Sequence, residues 1–340
     1  MKRFFSSWEV VLMLVLVVEL AVFGIINPRF LNTSNLIYGT SDFVHIGILA
    51  LPLTLVIISG GIDVSFASLV GLCAIVFGVA NFFGAPLPLS LVLALVAGAA
   101  AGAFNATVIH VSRIQPLVVT LGTMYLFGGA ATVLSGSVGA GGYEGIGNFP
   151  GEFTSFGYLE LFGLPAMLWL FAALAAFFVL ALHFARFGRG VYLVGQSENA
   201  SRYSGIAVGR VQFATYVMMG LGAAVAGLIL SAYFGSARVD LGTTSLLPAI
   251  TVAVLGGASI YGGQGSVLGT LIAVFIIGFL QQGLQMAGVS SQVSSALSGG
   301  LLVVVVALRQ GGALMANFIA AGRSAKTAAP QLIVEEKTSA

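Results

Sequence analysis

Apolar runs long enough to cross a bilayer follow one another along the chain, separated by short polar breaks. A membrane helix needs about 20 apolar residues. Such runs fall at roughly 8–26, 37–58, 62–80, 87–110, 115–135, 163–185, 211–232, 244–260, 265–285 and 292–308. The pattern predicts an all-α, polytopic membrane helical bundle of about ten transmembrane helices. The run 244–260 is short enough to be a half-span. Residues 1–312 read as one transmembrane domain and 313–340 as a polar, Ala-rich, poorly ordered tail.

The longest basic polar break is 186–210, RFGRGVYLVGQSENASRYSGIAVGR. Arg186, Arg189, Arg202 and Arg210 stand there against one acid, Glu198. Positively charged loops stay on the cytoplasmic side. A short helix is predicted inside the break. Ser197 is a fair N-cap, Glu198 suits the first turn, and Arg202 follows four residues later, an order that supports a helix. Gly205 is a plausible stop. A plain solvated loop fits the composition equally well.

Charge orients the other runs. Lys2 and Arg3 precede the first one, which is long and lacks a small-residue cleavage site; a retained span with its N-terminus inside is expected. Arg113 then falls in an inside loop, and Arg309, Arg323, Lys326 and Lys337 in an inside tail. The outside loop 137–161 holds Glu144, Glu152 and Glu160 and no Lys or Arg. Arg238 breaks the rule, with Asp240 as its expected partner.

Composition narrows the class. Of 340 residues 58% are hydrophobic and 7% charged, against about 25% charged in globular proteins. Gly, at 46 residues, has roughly twice its usual share, which suits closely approaching membrane helices. The net charge of +2 carries no basic run that would suggest nucleic acid. The single Cys73 excludes an internal disulfide.

Two acids are out of place. Glu19 lies deep in the first run, where an ionisable residue is a functional candidate; a hydrogen bond to a neighbouring helix is the simpler reading. Asp63 lies at the bend after the Gly60-Gly61 pair. It reads as a helix cap beside a tight turn, or else as part of a polar pathway. Glu9 is expected at the interface beside Trp8. LPLTLVIISGG (51–61) and LPAITVAVLGG (247–257) share five of eleven residues, suggesting a parallel internal repeat. His45, His110 and His183 have no metal spacing and read as structural.

Much chemistry is absent. No phosphate-binding Gly-rich loop ending in Lys exists, since the lysines are Lys2, Lys326 and Lys337 alone. There is no His-Glu-x-x-His and no Gly-x-Ser-x-Gly. No cofactor or metal is expected. The residues describe a transport or channel subunit, not an enzyme, energised from elsewhere. An ion-coupled secondary transporter would have to rely on Glu19 and Asp63, and a homomeric channel would need a pore ring.

At GGIDVSFAS, TLGTMYLFGG, GRGVYLVGQSENASRYSGI and LGGASIYGGQGSVLGT the chain resembles the membrane permeases of bacterial ATP-binding-cassette importers of the ribose type, over about residues 8–309. TSDFVHIGILALPLTLVIISGGIDVS, GYEGIGNFP, AYFGSARVDLG and QQGLQMAGV…QVSSALSG are similar to the autoinducer-2 import branch of that family; ribose or another monosaccharide is the alternative substrate. The resemblance implies a bacterial inner-membrane permease with both termini cytoplasmic. It further implies a second permease subunit, two cytoplasmic ATPases, a periplasmic binding protein and a small polyhydroxylated substrate. The family's ATPase-docking segment falls on 186–210, with Glu198, Asn199, Arg202 and Gly205 as its expected core.

Overall fold

A helix that is apolar on every side belongs in the middle of a bundle, and α3 (Thr40–Ile58) is such a helix. Nearly all of it, from Phe43 to Ile58, is buried. The computed structural model describes residues 7–141, 144–290, and 293, 294, 296, 297, 299–301, 303, 304 and 307. The tail 313–340 and seven residues of the expected last span, 292–308, lie outside the described residues.

The other main helices pack on α3 or further out in the same bundle. They are α1 (Ser7–Ile26), α4 (Phe66–Phe82), α5 (Leu87–Ser112), α6 (Pro116–Ser137), α8 (Ala166–Val179), α11 (Val208–Phe234), α12 (Leu246–Leu255) and α13 (Val267–Met286). Short helices α2 (Thr33–Tyr38), α7 (Gly151–Phe156), α9 (Arg186–Gln196) and α10 (Glu198–Tyr203) join them. A two-residue-stranded hairpin, β1 (Glu160–Leu161) with β2 (Leu164–Pro165), is the only sheet among the described residues. Among the described residues seven helical stretches are long and apolar enough to span a membrane, and two shorter apolar ones are Phe66–Phe82 and Thr243–Leu255.

Hydrogen bonds between elements fix which ends lie together. The Trp8 indole N–H donates to the Leu255 carbonyl at 2.9 Å, and the Ser266 hydroxyl donates to Glu9. Gly263 N–H donates to the Ile58 carbonyl at 2.8 Å. One end of the bundle therefore gathers the start of α1, the ends of α3 and α12, and the start of α13. At the other end Asn27 Nδ2 donates to the Met286 carbonyl, and Tyr233 donates to Asp42 at 2.7 Å. Glu9, expected at the interface beside Trp8, lies at the α1-start end of the bundle, buried and bonded to the cap of α13. Thr54 and Thr270 share a buried hydrogen bond of 2.9 Å between α3 and α13.

Glycine sets the tightest contacts, as expected where small residues let membrane helices approach. α5 and α11 touch backbone to backbone: a methyl on Gly98 would overlap the Gly220 carbonyl, and one on Gly220 the Gly98 carbonyl. Pro52 inside α3 removes one helical N–H. Its ring packs where Gly222 of α11 has no side chain.

The eighth expected span folds as a ten-residue helix, α12, preceded by irregular chain. After Gly235, whose φ is +65°, Ala237 bridges Ile146 and packs on Gly78. Val239 then packs on Gly71, and Gly242 on Ala67 and Val70. The segment thus descends along α4 by eleven residues, or about 16 Å at 1.5 Å per residue. The ten residues of α12 add about 15 Å, together close to the ~30 Å of a hydrocarbon core. Irregular backbone at that depth survives only inside protein or along a cavity; here it is pressed into the glycine-lined face of α4. Arg238 and Asp240 pair at 3.0 and 3.3 Å, as expected, and Arg238 also lies 5.9 Å from the Phe234 ring.

The stretches 51–61 and 247–257 run in the same direction and pack side by side, since α3 and α12 contact each other and end together. Their bends differ. The left-handed residue is Gly60 (φ +85°) in the first pair and Gly257 (φ +116°), the second glycine, in the other.

The α5–α11 contact predicts that Gly220→Val destabilises the protein by about 1–3 kcal/mol through overpacking. Gly122→Val, at a site open to its surroundings, should stay within about 0.5 kcal/mol. Thermal unfolding of both variants in the same detergent checks this.

Candidate functional site

The polar break 186–210 folds as two helices rather than one. α8 runs into a π-helical turn, Leu180–Phe184, before the chain enters α9. α9 has three glycines in eleven residues, each costing about 1 kcal/mol of helix propensity against Ala. Sequence reasoning therefore passed over it. Tertiary contact decides otherwise: a methyl on Gly188 would overlap the Leu182 carbonyl, and one on Gly195 the Ile58 carbonyl.

α10 forms where its caps predict. The Ser197 hydroxyl accepts from Ala200 N–H at 3.3 Å, and Glu198 opens the first turn. The C-terminus closes on Gly205 at φ +80°. Ile206 N–H reaches the Ser201 carbonyl at 3.0 Å and Gly205 N–H the Arg202 carbonyl at 3.1 Å, a Schellman closure. One expectation fails. Among the described residues Glu198 forms no ion pair with Arg202; its carboxylate receives Gln212 Nε2 from the first turns of α11. A six-residue helix lets the acid lean back onto α11, which leaves Arg202 on the outer side. Glu198, Asn199, Arg202 and Gly205 are all exposed on this element. So is Tyr203, at 94%, a residue that no capping rule singles out.

The inner side of the pair meets both glycine bends. Gly195 touches the Ile58 carbonyl and lies over Gly60. Gly262 and Gly263 pack on Gly195 and Gln196. Tyr192 donates to the Gly265 carbonyl at 2.8 Å. Burial, and then the charge of Glu9, push the Tyr192 hydroxyl up to about 12, so it keeps its proton. One short element therefore contacts the bend after α3 and the bend between α12 and α13.

Beyond Gly60 and Gly61 the chain turns inward. Asp63 is 1% exposed. Its Oδ1 accepts from Ser65 N–H at 2.8 Å and from the Ser65 hydroxyl at 2.6 Å, so it braces the start of α4 from two residues ahead of the N-cap Ser65. Asn105 Nδ2 of α5 donates to the same hydroxyl at 2.8 Å. Thr120 of α6 and Tyr216 of α11 donate to the Ile62 carbonyl at 3.2 and 3.4 Å. A methyl on Gly61 would sit 2.7 Å from the Tyr216 hydroxyl. Three helices, α5, α6 and α11, thus hold the bend that α9 touches.

Glu19 stands apart, in the middle of α1. The hydrogen bond expected from a neighbouring helix is missing: both carboxylate oxygens are enclosed and have no partner among the described residues. His45 Nδ1 and Ser245 Oγ are likewise enclosed without partners. Among the described residues no cluster of His, Cys, Asp or Glu could hold a metal ion.

Comparison with known proteins now decides the class. A family model described as "Branched-chain amino acid transport system / permease component" matches residues 35–306. The chain belongs to this family of membrane permeases. "Autoinducer 2 import system permease protein LsrD" of Enterobacter sp. (strain 638) is 56% identical over 300 residues, covering 88% of this chain and 92% of the relative. The same-named proteins of Klebsiella pneumoniae and Escherichia coli (strain K12) are 55% and 56% identical, with coverage of 88% here and 90% and 91% of the relatives. The resemblance seen in the motifs is therefore real across most of the chain. The permease is a transport subunit and not an enzyme.

The bend makes an ordered prediction for transport by the permease. Gly60→Leu forces a side chain into a left-handed position, at roughly 1–2 kcal/mol. Asp63→Asn keeps an oxygen for Ser65. Uptake should fall further in Gly60→Leu than in Asp63→Asn; the reverse order would make Asp63 a pathway group rather than a cap.

Proposed function

We propose that the chain is one of two permeases of an ATP-driven bacterial importer of autoinducer-2, and that α9 and α10 form the surface its ATPase grips. The observation that carries this is the two-sided geometry of the 186–210 element. Glu198, Asn199, Arg202, Tyr203 and Gly205 face outward, while Gly195, Tyr192 and Gln196 rest on the bends of the central helices. In this reading ATP closes the ATPase pair and displaces α10. The displacement passes through α9 to both bends, and the central helices exchange between outward- and inward-facing arrangements. A difference in partner binding between two states is what drives such an exchange. The permease itself makes and breaks no covalent bond.

The substrate assignment rests on the relatives bearing the autoinducer-2 import name, similar over 88% of this chain. The partners follow from it: an LsrC-like second permease, two LsrA-like ATPases and an LsrB-like periplasmic binding protein. The protein would sit in the bacterial inner membrane as a domain of residues 1–312 with a cytoplasmic tail, both termini inside. Charge supports the orientation. Arg113, Arg186, Arg189, Arg202 and Arg210 lie at the α9–α10 end, against Arg29 and Arg238 at the other. Lys and Arg counts set such topologies.

The test is uptake of labelled autoinducer-2 and labelled ribose by vesicles containing this permease, a sister permease, the ATPase and the binding protein, with and without ATP. ATP-dependent uptake of autoinducer-2 alone is expected. Uptake of ribose instead would discard the substrate, and uptake indifferent to ATP would discard the importer. In the same vesicles Arg202→Glu should abolish uptake while the protein remains in the membrane. Unchanged uptake in that variant would remove α10 from the docking surface.

A further inference from the structure

The hairpin β1–β2 spends its turn on an unfavourable residue. Leu161 pairs with Leu164, so Phe162 and Gly163 form a two-residue turn. Both have positive φ, +54° and +75°, as the tight turn of such a hairpin requires. Asn, Asp or Gly normally fills the first position; a bulky residue there is an outlier that calls for a reason. Packing inside the protein is not the reason, because Phe162 is 96% exposed.

The surroundings of the tip supply one. The Phe162 ring stands edge-on to Trp169, 6.3 Å between centroids, and the Trp169 indole N–H donates to the Leu161 carbonyl at 3.0 Å. Trp169 therefore holds the hairpin against the first turn of α8. On α8 the residues Trp169, Ala172, Ala173, Ala176, Phe177 and Leu180 are exposed and recur at three- and four-residue spacing. In a membrane-spanning helix that apolar stripe faces lipid. The tip of the hairpin continues it at the end of the bundle opposite α9 and α10, with Leu159 and Leu161 also exposed. Trp sits by preference at the boundary between hydrocarbon and headgroups.

We propose that the Phe162 hairpin is a membrane anchor, its tip seated in the headgroup boundary of the outer leaflet, with Trp169 as its buttress. The anchor sets the depth at which α8 lies. α8 leads directly into α9, so the same contact fixes the height of the opposite polar element relative to the bilayer.

The experiment places a single tryptophan at the tip: Phe162→Trp in a Trp8→Phe, Trp169→Phe background, in nanodiscs of phosphatidylcholine and phosphatidylglycerol. Some discs carry bromine near the headgroup end of the acyl chains and some near the terminal methyl. A blue-shifted emission, quenched by shallow bromine and little by deep bromine or aqueous iodide, is expected. Emission typical of water, quenched by iodide and untouched by either bromine, overturns the anchor. Emission that shifts only when a periplasmic binding protein or sister permease is added also overturns it, in favour of protein docking. A second arm keeps both native rings in view. In a Trp8→Phe background, Phe162→Asn suits the turn better yet should reduce shallow-bromine quenching of Trp169. Unchanged quenching there would deny the tip any part in seating α8.

Discussion

The contact between Gly195 and the Ile58 carbonyl is the constraint on which the rest of the arrangement depends. Nothing larger than hydrogen fits between α9 and the end of α3 at that point, and the Gly263 N–H crosses the same spot. A backbone-to-backbone contact leaves no soft side chain to absorb a displacement, because packed interiors transmit strain rather than damp it. The central helix, the half-helix α12 and the start of α13 all end within this one junction. Moving α9 therefore has to move them, or break the hydrogen bond from Gly263 to Ile58.

Around the junction the fold concentrates its irregular backbone. Residues 59–65 turn inward under three helices, and residues 235–245 descend beside α4 before becoming helical. Each would be costly in lipid, where an unpaired peptide group has no water to turn to. The chain offsets this with buried donors, Ser65, Asn105, Thr120 and Tyr216 for the first segment. For the second it provides glycines on α4 at positions 71 and 78. Regular helices outside this region carry the load of spanning. The bends inside it can change shape.

Much of this was legible in the sequence, for definite reasons. Apolar runs announced the spans because lipid demands them. Ser197, Glu198 and Gly205 announced α10 because caps are local chemistry. Arg238 announced Asp240 because a charge near lipid needs a partner close by. The failures share one cause, long-range contact. α9 was hidden because its glycines look like breakers until the surfaces they fit are known. Glu198 was matched to Arg202 because Gln212 is fourteen residues away. Glu19 was given a partner that none of the described residues supplies. The eighth run read as a possible half-span, and α12 has ten residues; what nothing local shows is that residues 237–242 are pressed against α4. Arg29 escaped notice because a lone cation after a span carries no motif.

The central claim is that α9 transmits, rather than only receives, the push of the ATPase. Gly195→Ala tests it most directly, because the added methyl separates α9 from both bends and leaves the outer surface of α10 unchanged. The quantity to measure is substrate moved per ATP hydrolysed in the complete reconstituted transporter. The account predicts that the ATPase still co-purifies and hydrolyses ATP while uptake per ATP falls to background. An unchanged ratio in the assembled complex would show that force reaches the membrane helices by another route.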